Sequence, residues 1–311
     1  MKLNISKKSV IYVAGGFGMV GDSVYKCLKK RGYLNVYRNK RKQLDLLDSS
    51  KLDKFLKKMS PSLVIFCAAK VGGIKANNDY KAEFMYKNVQ MSSNIIHYSY
   101  LNKIKNLIYM GSSCIYPRKC KQPISENYLL NGKLESTNEA YALAKISGIK
   151  MCEFYSNQYN LNYVGLMPSN LYGINDNYDV KYGHVIPALI QKLLISDKKK
   201  NTSLNVWGNG AAKREFLYVD DLAEAIVSIF NQKLKYPFYN VGSGEEISIK
   251  KLVLMIKDIY NKKLNIKFTG EESNGTPRKI LDSSKIRSFG WSPKISLSEG
   301  LTRVMSSKGL I

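Results

Sequence analysis

Short apolar runs recur along the chain, separated by longer stretches whose apolar positions repeat with helical spacing. The runs are Val10 to Ala14, Asn35 to Tyr37, Leu63 to Ala69, Asn106 to Met110 and Tyr163 to Met167. Unbroken apolar runs of this kind mark strands buried on both faces. Between them the periodicity predicts helices over 19–31, 50–59, 80–102 and 138–159. Such alternation predicts an α/β fold, a doubly wound parallel sheet with helices on both faces. Ligands bind such sheets beyond the carboxyl ends of the strands. The chain gathers its unusual residues there: Gly15 to Gly21, Ala68-Ala69-Lys70, Gly111 to Cys114, and Pro168 to Gly173.

After Gly173 the alternation weakens, and Gly, Pro and aromatic residues cluster. The pattern predicts a nucleotide-binding domain from 1–170 and about 214–261, with a smaller substrate domain from about 171–213 and 262–311. A helix at 221–231 and a strand around Tyr239 to Gly242 are expected to return to the main sheet. No internal repeat or low-complexity segment interrupts this order.

Composition narrows the class. In 311 residues, 44% are hydrophobic, enough for a real core, and no apolar run is long enough to span a membrane. The first residues run almost directly into a strand, without a secretory apolar region, so a cytoplasmic protein is expected. Cys27, Cys67, Cys114, Cys120 and Cys152 are odd in number and lack zinc spacing, so neither a disulfide framework nor a metal is expected. Cys27, Cys67 and Cys152 lie in apolar segments and read as core thiols. The net charge of +25 raises nucleic acid or an acidic membrane as a partner. Its lysines are scattered in pairs, however, and Lys198-Lys199-Lys200, the longest run, reads as a loop after a helix. With no nucleic-acid motif beside them, a solvated surface that steers an anionic substrate is the expectation; neither partner is expected.

Candidate chemistry begins at Gly15-Gly16-Phe17-Gly18-Met19-Val20-Gly21, between the first strand and the first helix. Glycines there permit a tight turn and close approach to a pyrophosphate at a helix N-terminus. After the second strand stands Arg38-Asn39-Lys40-Arg41-Lys42, where an acid would grip a ribose 2′-hydroxyl. Cations suit a 2′-phosphate, hence NADP(H), unless this is simply a solvated basic loop. Tyr141 and Lys145, four apart, share one helix face. An ammonium so close is expected to lower the phenol pKa. Tyr141 could then protonate an alkoxide forming at a ketone, with Ser112 holding the same oxygen.

Together these stretches, with Ala68 to Ile74, Gly111 to Pro117, Asn170-Leu171-Tyr172-Gly173, His184 to Leu189, Arg214-Glu215-Phe216 and Gly275 to Lys279, resemble the extended short-chain dehydrogenase/reductases. The resemblance covers nearly the whole chain and points to the members that epimerise and reduce GDP-4-keto-6-deoxy sugars. It implies Tyr141 as catalytic acid, Lys145 as its ribose-anchoring partner, Ser112 as carbonyl-orienting hydroxyl, and Cys114 with His184 as the epimerising acid/base pair. It implies cofactor contacts from the glycine loop, Arg41, Lys42, Asp45, Leu46, Ala69, Ser112, Ser113, Lys145, Pro168, Asn170, Leu171 and His184. Lys192, Trp207, Arg214 and Lys279 fall at its sugar-nucleotide positions, and its members pair into homodimers through helices like those at 80–102 and 138–159.

The chemistry fits that set. In a 4-keto sugar C3 and C5 flank the carbonyl, so either can lose a proton as an enolate forms. Inverting a centre takes one group on each face, and Ser112 with Tyr141 would stabilise the oxyanion. Of the two histidines, His97 sits in a helical run and reads as structural. The chain departs from the family at Gly16 and Phe17, where His and Arg are usual, at Lys192, where Arg is usual, and over Asn175 to Gly183. A C4 reductase without epimerase activity, acting on a GDP-4-keto-heptose, is therefore the alternative expectation. A catalytically silent cofactor sensor on this fold would lack the Tyr/Lys/Ser set that is present.

Overall fold

The computed structural model describes residues 1–198, 203–261, 263–270 and 276–311. Lys199, Lys200, Lys262 and Gly275 lie outside the described residues. From the amino end run β1 (Ile11–Ala14), α1 (Met19–Lys30), β2 (Val36–Arg38), α2 (Ser49–Met59), β3 (Leu63–Phe66), α3 (Ile74–Asp79), α4 (Lys81–Leu101), β4 (Asn106–Met110), α5 (Glu139–Tyr159) and β5 (Asn162–Pro168). There follow β6 (Asn170–Tyr172), α6 (Val185–Lys198), β7 (Ser203–Val206), β8 (Lys213–Tyr218), α7 (Val219–Ser228) and β9 (Phe238–Val241). Last come β10 (Glu246–Ser248), α8 (Ile249–Tyr260), β11 (Asn265–Phe268), β12 (Arg278–Lys279), α9 (Ser284–Arg287) and α10 (Leu297–Ser306).

Six strands form a parallel sheet in the order β2-β1-β3-β4-β5-β9. Its apolar runs are continuous because alternate side chains enter two different cores. On β1, Ile11 and Val13 pack with Val24 and Leu28 of α1 and Leu222 and Ile226 of α7. Tyr12 and Ala14 face the other way, toward Leu52 and Leu56 of α2, Ile95 and Ile96 of α4, and Ile149 and Cys152 of α5. The run from Leu63 stays in the sheet only to Phe66. Cys67 N still donates to Ala14 O at 2.9 Å, and the chain then leaves the sheet to build its rim. The helix expected over 80–102 is α4, and a short helix, α3, precedes it and meets it at Tyr80.

A third core joins α6, α8 and α10 with β7 and β8 through Ile190, Leu193, Leu252, Ile256, Leu301 and Val304. Helix α8 packs there, although the chain pattern grouped it with the sheet. Fully buried Glu215 on β8 ties this part together, accepting Gly244 N at 2.7 Å and Leu281 N at 2.9 Å. Burial pushes its carboxyl up to about 7, against those two backbone donors. Among the described residues no helix is long and apolar enough to cross a membrane.

Candidate active site

From β1 the chain crosses to β2 on one side, whereas β3 lies on the other, so a crevice opens at the carboxyl ends of β1 and β3. A cavity of about 870 Å³ fills it and continues between the sheet and the third core. Gly15 turns at φ 81°, and a Cβ there would sit 2.6 Å from Ala68 N. Gly18 N closes the turn onto Gly15 O at 3.0 Å. A Cβ on Gly21 would lie 2.3 Å from Gly15 O, so glycine lets α1 approach its own loop. Gly15, Gly18, Met19, Val20 and Gly21 thus present the start of α1 to the cavity, a setting that suits a pyrophosphate.

The cations at the end of β2 and beyond it divide. Arg38 turns inward, donating Nη1–H to Gly16 O at 2.8 Å and to Asp22 Oδ1 at 2.6 Å. Its guanidinium lies 4.2 Å from the Phe17 ring centre and 3.9 Å from that of Tyr25. Gly16 and Phe17, expected at the cofactor, face this arginine and are not on the cavity wall, nor is exposed Lys42. Asn39 and Arg41 are, with Arg41 Nε 3.1 Å from Asp45 Oδ2.

At the other end β4 delivers Met110 to the rim, and Ser112 follows, its Oγ accepting Cys114 N at 3.2 Å. Helix α5 sets Tyr141 and Lys145 one turn apart. Lys145 is buried, and its Nζ donates to Met110 O at 2.8 Å. Burial pulls its ammonium down to about 8, opposed by Cys67. Burial also holds the Tyr141 phenol above its usual range; Cys114 and Tyr109 push the same way, and a hydrogen bond with Ser112 opposes them. The expected lowering by Lys145 is therefore overturned: burial sets the phenol, and the lysine is committed to a carbonyl. A phenol that keeps its proton is still what a general acid requires.

Cys114 Sγ accepts from Asn138 Nδ2 and from Lys279 Nζ, both at 3.4 Å. His184, just before α6, is 4.0 Å through Nδ1 from Asp176 Oδ1. The segment ahead of it is tied across the crevice, Gly73 N donating to Tyr182 O at 2.7 Å. Lys192, Trp207, Arg214 and Lys279 line the same cavity, as do Asp45, Leu46, Ala69, Ser113, Pro168, Asn170 and Leu171. Lys192 Nζ lies 5.0 Å from the Trp207 ring centre and donates to Asn205 O at 2.8 Å. His97 instead bonds Tyr155 Oη at 2.8 Å. Among the wall residues that escaped the sequence pattern are Asn138, Asp176 and Glu135, the last nearly buried and 3.2 Å from Arg118 Nε. Only the acid in the divergent segment before His184 carried a signal that could have pointed to one. Among the described residues no cluster of His, Cys, Asp and Glu could hold a metal.

A glycine loop opening a helix at the switch point of a parallel sheet, with Ser, Tyr and Lys at the next rim, defines a nicotinamide-nucleotide enzyme of the short-chain type. The chain belongs to the NAD dependent epimerase/dehydratase family, whose model matches residues 11–242. It is 44% identical over 299 residues to a putative GDP-L-fucose synthase 2 of Arabidopsis thaliana, covering 96% of this chain and 91% of that one. The GDP-L-fucose synthase of Escherichia coli K12 is 41% identical, with 94% of each chain covered. A GDP-mannoheptose C4 reductase from Campylobacter jejuni, solved with NADP bound, superposes with a TM-score of 0.87 at 33% identity, over 98% of this chain and 99% of that one.

Proposed function

We propose that the protein is an NADPH-dependent enzyme that reduces C4 of a GDP-bound 4-keto-6-deoxy sugar after epimerising C3 and C5. The observation that carries this is one cavity wall bearing Ser112, Tyr141 and Lys145 together with Cys114 and His184. The start of α1 and Arg41 would hold the pyrophosphate and 2′-phosphate of NADPH, which when bound supplies the hydride. Tyr141 gives its proton to the C4 oxygen, and Ser112 holds that oxygen in place. For epimerisation Cys114 takes a proton from C3 or C5, and His184 returns one to the opposite face. Lys192, Arg214 and Lys279 suit the diphosphate of the substrate, and Trp207 offers a flat wall.

The residues at about 171–213 and 262–311 would form the sugar side of the enzyme, against a nucleotide side built on the six-stranded sheet. Helices α4 and α5 leave Tyr86, Leu101 and Phe154 more than half exposed, which supports pairing of two copies through these helices in a cytoplasmic homodimer. Reduction of a GDP-4-keto-heptose without epimerisation is a second reading, favoured by the divergent segment 175–183 on the His184 side. Product analysis with NADPH and each GDP-4-keto sugar, alone and after a separate epimerase, decides between them. Turnover of the 6-deoxyhexose without added epimerase is the expected result; no turnover of any GDP-4-keto sugar would sink both readings.

A further inference from the structure

Helix α5 starts without the cap that its own N-cap residue can provide. Asparagine is favoured at that position because its side-chain oxygen accepts an N–H of the first turn. Asn138 stands there, yet its side chain makes no capping bond. Its Nδ2 donates instead to Cys114 Sγ, and its Oδ1 is buried without a partner. Both choices cost stability, and costs of this kind collect where a site needs them. A second donor, Lys279 Nζ, reaches the same sulfur from β12. Other groups facing Cys114 are Arg214 of β8, Tyr141 of α5, and Glu135, which shares a side pocket with Cys114, Asn138 and Lys279.

We propose that Asn138 is a positioning residue for Cys114, its amide holding the sulfur and its free oxygen accepting a hydroxyl of the bound sugar. This rests on the reading of Cys114 as the base for C3 and C5. In that step the ionised sulfur takes the proton and becomes a thiol. The C–H electron pair enters the enolate, whose oxygen faces Ser112 and Tyr141. His184 protonates the carbon from the other face, and solvent restores both groups.

Asn138→Ser separates the two uses of this side chain, because serine can cap the helix but is too short to reach the sulfur. Melting temperature, alkylation of Cys114 by iodoacetamide read by peptide mass mapping, and KM for GDP-4-keto-6-deoxy-mannose are measured on the full chain. Buried Cys152 serves as internal reference. Asn138→Ser should melt at or above the unmutated protein, while Cys114 alkylation slows and KM rises, each by about five- to tenfold, as for loss of one hydrogen bond. Asn138→Ala should show the same chemical losses and melt lower. A Ser variant that melts well below the unmutated protein, or keeps its alkylation rate or KM, overturns the assignment. Should the unmutated protein turn over no GDP-4-keto sugar, the proposed function fails, and the alkylation rate alone decides whether Asn138 holds the sulfur.

Discussion

Tyr141 and Lys145 show burial governing ionisation at both ends of one helical turn. Their spacing is legible in the sequence; their ionisation is not, because desolvation depends on what packs around them. Tyr141→Phe removes the proton donor and little else. It should lower C4 reduction by about 100- to 10,000-fold while NADPH binding, read by fluorescence titration, stays within about twofold of the unmutated protein. Near-normal turnover would take Tyr141 out of the mechanism. Lys145 carries a second expectation. Its ammonium sits at about 8 in the folded chain against an ordinary 10.5, so between those values the unfolded chain binds more protons. The penalty of burying its charge is complete below pH 8 and fades as pH rises. The unmutated protein should therefore gain stability relative to Lys145→Met as pH rises above 8, by up to about 1.4 kcal/mol per pH unit. Urea denaturation from pH 7 to 9.5 measures it, and a constant difference would mean the buried ammonium carries no such penalty.

Among the elements, strands buried on both faces are the most legible. The run at β4 appears in the sequence as Asn106 to Met110 and in the fold with those same bounds. Strands such as β11, whose residues are alternately exposed and half-buried, leave no continuous run to read. The basic stretch after β2 was visible as charge, but not the inward turn of Arg38, which depends on where α1 places Asp22 and on the rings of Phe17 and Tyr25. With Arg38 engaged there, Arg41 is the cation of this stretch on the cavity wall. Arg41→Ala should weaken NADPH by about tenfold and leave NADH nearly unchanged, as loss of one charge-assisted hydrogen bond implies. Equal losses for both cofactors would assign the arginine to the fold.

At the scale of the whole molecule, light scattering at micromolar concentration should give twice the chain mass, and a monomer throughout would remove the α4–α5 pairing. The epimerase half is tested without NADPH. Incubated in D2O with GDP-4-keto-6-deoxy-mannose, the protein should exchange hydrogens at C3 or C5, and Cys114→Ser should slow this by about 100-fold or more. No exchange above solvent background would leave a C4 reductase working after a dedicated epimerase.

Glu215 bears on how far the molecule can be recombined. Its carboxyl takes one backbone N–H from the turn after β9 and another from the residues after β12, so three separated stretches meet at a single buried acid. A chimera that takes the segments of the third core from a relative while cutting between β8 and β12 would ask this acid to find new donors. Missing them would cost several kcal/mol. Crossovers should therefore be tolerated where β8, the turn at 242–244 and the stretch around Leu281 come from one parent.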